Sequence, residues 1–105
     1  MTYDELSTDN KILAAKASLP KHVVYRPFVY ETVILNLETG KYHGLNPSAG
    51  RMLEALERAD SVDQAAQQLA GEFGQPLDSI RADLLELCSG LVERGLIVLA
   101  EPSGE

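Results

Sequence analysis

Hydrophobic and polar positions change their period near the middle of this chain. The segment HVVYRPFVYETVILNLETGKYHGL, residues 22–45, is rich in Val, Ile, Tyr, Phe and Thr, residue types that fit a pleated, half-buried surface. It predicts three strands, near residues 22–27, 30–37 and 41–45. Pro27 lacks an amide hydrogen and suits the end of the first strand. In the second strand Val33, Leu35 and Leu37 share one side while Ile34 and Asn36 take the other, and one of the two faces is core. Glu38-Thr39-Gly40 is a three-residue hairpin signal, with Gly40 able to adopt the positive φ that closes a type I turn with a bulge.

From Asn46 the period becomes helical. Asn46 reads as an N-cap and Pro47 as the first helical position of a helix reaching Arg58, with Ala49, Met52, Leu53 and Leu56 on its apolar side. Ser61 and Gln64 form a capping-box pattern for a second helix that ends before Gly74 and buries Val62, Ala65, Ala66, Leu69 and Phe73. Pro76 opens a third helix and Gly95 closes it, leaving Leu96 to Leu99 as an apolar segment with strand character. At 100° per residue, Ile80, Leu84, Leu87 and Leu91 make a core stripe about 60° wide. Cys88, Val92, Leu85 and Leu77 extend the apolar arc further round, with Arg81 among them. A second stripe needs a second partner. Either the chain's own N-terminal arm or the segment after Gly95 covers it, or it walls a groove for another chain.

Composition narrows the function. The 105 residues, 45% hydrophobic and 24% charged, suit one globular domain. Nine Lys and Arg stand against sixteen Asp and Glu, a formal charge of −7, so a nucleic-acid backbone is a poor partner. Cys88 is the single cysteine, which excludes an internal disulfide and suits a reducing compartment. The first twenty residues lack the basic start and long apolar run of a signal peptide or membrane anchor, and the expectation is a cytoplasmic protein. Residues 1–20 read as an arm that is flexible or docks late, 21–99 as the domain, and 100–105 as a disordered tail. His43 has only His22 for company and no ligand-spaced carboxylate or cysteine, so it reads as a solvent-edge or hydrogen-bonding histidine; Cys88 reads as a small apolar residue rather than a nucleophile. No phosphate loop, metal set or nucleophile with its base is present, and neither an enzyme nor a cofactor is expected.

The stretches VILNLETGKYHGLNPSAGRMLEAL, SVDQAAQQLAGEFG and LLELCSGLVERGLIVL, in this order, resemble the PqqD family of small peptide chaperones, also described as RiPP recognition elements and including the discrete leader-binding proteins of lasso-peptide pathways. The resemblance covers about residues 22 to 99 and is strongest at LETGKYHGLN. It implies an α+β, winged helix-turn-helix-like domain, a three-stranded antiparallel sheet followed by three helices. It further implies a non-enzymatic adaptor that binds the leader of a ribosomally made precursor peptide and presents it to a maturation enzyme such as a radical SAM enzyme or a leader protease. In that family the leader adds as a strand to the third strand and lies against the third helix. Carried over, the strand residues are Lys41, Tyr42, His43, Gly44 and Leu45, and the helix residues are Arg81, Leu85, Cys88 and Val92. Whether the His43 amide faces the groove or the second strand stays open, and the open strand also permits a homodimer. The alternative on the same fold is a DNA-binding regulator, which the acidic helices oppose.

Overall fold

Asn36, Asn46 and Ser61 frame the architecture, because each side chain closes the turn that leads into the next element. The computed structural model describes residues 8–101. Its elements are α1 (Thr8–Ala14), β1 (Lys16–Ser18), β2 (Val23–Pro27), β3 (Thr32–Asn36), β4 (Tyr42–Leu45), α2 (Pro47–Arg58), α3 (Val62–Phe73), α4 (Leu77–Glu93) and β5 (Val98–Ala100). At the β3–β4 turn Asn36 Oδ1 accepts from the Glu38 and Thr39 amides at 2.9 and 3.2 Å, and Gly40, at φ 76°, returns its amide to the Asn36 carbonyl. Asn46 caps α2 by accepting from the Ala49 amide at 2.8 Å. Ser61 caps α3 by accepting from the Gln64 amide, while the Gln64 side chain reaches back to the Asp60 amide at 2.6 Å, so the box closes one residue earlier than its simplest form.

Strands β2, β3 and β4 form an antiparallel meander in that order, and α2, α3 and α4 follow it, giving the α+β, winged helix-turn-helix-like fold. Cross-strand rows share a face. The row Tyr25–Ile34–His43 points inward, with Ile34 fully buried, and the row Val24–Leu35–Tyr42 points outward, with Tyr42 72% exposed. The core face of β3 is therefore the one carrying Thr32 and Ile34, while Val33, Leu35 and Leu37 look away from it. The reason is α2, which approaches this side so closely that a methyl group on Gly50 would overlap the Thr32 hydroxyl. Tyr25 adds a polar tie on the same side, its hydroxyl donating to the Glu57 carboxylate at 2.6 Å. Burial, with Glu57 beside it, pushes that phenol above its ordinary range.

The expected stripe of α4 turns slightly. Ile80, Leu84 and Leu91 are buried, but Cys88 takes the fourth core place and Leu87 is only half-buried. Residues 8–18, expected as an arm, carry α1 and β1. Strand β1 pairs antiparallel with β5, setting Ala17 opposite Leu99. Lys16 Nζ donates to the carbonyls of Glu57 and Ala59, each at 2.6 Å, and so supplies a cation to the C-terminal end of α2. The Val62 amide donates to the Ala15 carbonyl at 2.8 Å. The expected tail begins inside β5 at Ala100, and residues 1–7 and 102–105 lie outside the described residues.

Candidate functional site

The open side of β4 follows from the hydrogen-bond alternation of the sheet. The Asn36 amide donates to the Lys41 carbonyl at 2.9 Å. Bonded pairs alternate along an antiparallel ladder, so Ile34–His43 and Thr32–Leu45 are the next bonded pairs. The His43 amide thus faces β3, while Tyr42 and Gly44 turn their N–H and C=O groups to the edge. Among the described residues no strand pairs with that edge.

A cleft of about 320 Å³ begins at Asn46, the residue after the strand. Ser48, Ala49 and Met52 of α2 form one wall, and Asp83, Glu86 and Leu87 of α4 form the other. The helix positions expected to face a peptide lie elsewhere. Arg81, Leu85 and Val92 sit roughly 170° round α4 from this second wall, at 100° per residue. Arg81 holds Asp63 of α3 at 2.7 Å, and its guanidinium keeps the Asp63 carboxyl below the usual carboxylate range. Val92 shares a shallow hollow with Ile12 of α1 and Leu99 of β5. Cys88 is fully buried in the core, where burial pushes its thiol up to about 11; it is an inert packing residue and cannot touch a docked chain. The second stripe of α4 thus faces α1 and β5 rather than the cleft and is only partly covered by them, with Val92 still 42% exposed.

The strand residues fare differently. Lys41 to Leu45 form or flank the open edge, Tyr42 looks to the outer face, His43 is half-buried against the inner row, and Leu45 packs on the core. Gly44 matters less for close approach along the edge than for the outer face, where a methyl group would meet Glu31 Oε1 at 2.7 Å. The cleft's α4 wall of Asp83, Glu86 and Leu87 was not among the positions expected from the sequence, because both sides of the α4 stripe looked usable. The one available signal was Leu87, at the stripe margin with two acids nearby. Among the described residues no group of three or more His, Cys, Asp or Glu is placed to hold a metal ion, and no helix is long and apolar enough to cross a membrane.

Fold and site together define a small winged helix-turn-helix-like domain in which the β4 edge of the sheet lies open beside a helix-lined cleft. This chain belongs to the PqqD family: the family model of coenzyme PQQ synthesis protein D (PqqD) matches residues 31–97. Two solved structures are similar. One is lasso peptide synthetase B1 complexed with the leader peptide, at 23% identity and TM-score 0.69, covering 80% of this chain and 99% of that one. The other is TbiB1 in complex with the TbiA(beta) leader peptide, at 23% identity and TM-score 0.67, covering 76% of this chain and 93% of that one. At this identity the likeness is one of fold. No curated protein matches the sequence.

Proposed function

We propose that this chain is a non-enzymatic adaptor that captures the leader segment of a ribosomally made precursor peptide and presents it to a maturation enzyme. The leader adds as a strand to β4, bonding to Tyr42 and Gly44, and sets side chains into the cleft between α2 and α4. The observation that carries this reading is the β4 edge, unpaired among the described residues, running into the cleft between α2 and α4. The two similar structures, both described as leader-peptide complexes, support it.

Energetics require both parts of the site. About four backbone hydrogen bonds at ~0.5–1.5 kcal/mol each supply roughly 2–6 kcal/mol, which hardly offsets an association cost of about 4–15 kcal/mol. Two or three leader side chains buried at ~1.5–3 kcal/mol each make up the difference and provide selectivity. The DNA-binding reading on the same fold gains nothing from charge, since α3 offers Asp63 and Glu72 and α4 offers Asp78, Asp83, Glu86 and Glu93.

The test is titration of the full chain with synthetic leader segments of any short open reading frames found beside its gene, followed by amide hydrogen exchange. Binding is expected with new protection at Tyr42 and Gly44 and none in β1 or β5. Absence of binding, or protection at the β1–β5 pair instead, removes the proposal. The enzyme is assigned to the outer sheet face and the β2–β3 turn, where Phe28, Val29 and Tyr30 are 58%, 81% and 85% exposed, an apolar group that a lone soluble chain has little reason to display. A protein carrying Val29→Ser and Tyr30→Ser should bind leader as the native chain does and slow the enzyme's turnover of precursor. Unaltered turnover would take the enzyme off this surface.

A further inference from the structure

Resting on the cleft as the leader's site, we infer that it selects segments in which a lysine or arginine adjoins the apolar anchor residue, read by the carboxylates of Asp83 and Glu86. The two acids lie one turn apart on the side of α4 that walls the cleft, with Leu87 beside Asp83. Neighbouring helix carboxylates are already committed: Asp63 and Asp78 meet Arg81, while Glu54 and Glu72 meet Arg51. Asp83 and Glu86 have no hydrogen bond or ion pair among the described residues. The facing wall contributes Asn46 and Ser48 at its rim and Met52, 7% exposed, at its floor, with no cation. A long basic side chain fits this pattern, because its methylene stem can lie on Leu87 and Met52 while its head reaches both carboxylates. An acidic side chain there would meet two like charges on a chain whose formal charge is −7. Lys41 stands at the far end of β4, so the preference for a cation belongs to the Leu45 end of the added strand.

The probe is a displayed library of short linear peptides selected on the full native chain and, in parallel, on the Asp83→Asn, Glu86→Gln double variant. These isosteric changes at exposed positions leave the fold in place. Native selections should enrich Lys or Arg next to an aliphatic or aromatic residue, and the double variant should lose that enrichment. A selected basic peptide should bind the double variant about fivefold more weakly, in keeping with two exposed charge pairs. Its affinity for the native chain should fall as salt rises from about 0.05 to about 0.5 M, with a flatter response in the double variant. Enriched peptides that lose binding on Gly44→Pro but show no basic preference overturn this inference and leave the strand-addition site standing. Peptides indifferent to both Gly44→Pro and the double variant overturn the site and the inference together.

Discussion

Proline in place of Gly44 is expected to abolish leader capture while the domain stays folded. Gly44 belongs to the alternate set of β4 residues whose amides point away from β3. A proline there removes no internal ladder bond and occupies an edge position where proline is tolerated. The φ of Gly44 is not positive, so the ring imposes no reversal of the backbone. The side chain that must yield is Glu31, whose carboxylate end can swing aside. An added strand, however, loses the amide it would bond and meets the ring where its own backbone should approach. One lost bond at ~0.5–1.5 kcal/mol and the displaced neighbours should weaken binding at least tenfold, about 1.4 kcal/mol. Peptide titration reads the loss and a thermal melt reads the intact fold. His43→Pro provides the contrast: its amide bonds to β3, and the orphaned Ile34 carbonyl should cost about 1–3 kcal/mol of stability. Native-like binding by Gly44→Pro would mean that the leader is held somewhere other than β4.

The second large effect concerns Gly50, where alanine should destabilise the domain although it is the better helix former. In α2 the added methyl would overlap Thr32 Oγ1 and lie 2.7 Å from Thr32 Cβ. Thr32 is 3% exposed and β-branched, so rotating its side chain cannot clear the Cβ contact and the helix itself must move. Overpacking of this kind costs ~1–3 kcal/mol, against a helix-propensity gain of up to ~1 kcal/mol. A fall in Tm of some 4–8 °C per kcal/mol of net loss is the expected readout. Gly71 in α3 is the matched control, since nothing lies within 4 Å of a methyl placed there. Gly71→Ala should hold or raise Tm. Equal behaviour of the two substitutions would show that α2 can slide on the sheet, and with it the wall that carries Ala49 and Met52.

The strand half of the site was legible because its cause is local. Asn36 and Gly40 close the β3–β4 turn within five residues, and Asn46 starts α2 directly after Leu45, so β4 had to be short and its place in the meander followed. The helix half was not legible. An apolar arc running from Leu87 through Cys88 to Val92 states that something covers α4 but not which element covers which side. The Val92 side turned toward α1 and β5, which cover it only in part, and the interior took Cys88. That left Leu87, with Asp83 and Glu86, beside α2.

By itself the chain's order of residues determined the run from β2 to α4, three strands then three helices with their caps and turns, but not α1 and β1, since caps, turn glycines and hydrophobic period act over a few neighbouring residues. Tertiary structure alone decided that the Ile34 side of β3 is core, that Lys16 to Ser18 pair with Val98 to Ala100, and that the Leu87 side of α4 lines the cleft. Those outcomes depend on which surfaces, distant in sequence, can bury the most apolar area together, and burial is blind to chain position.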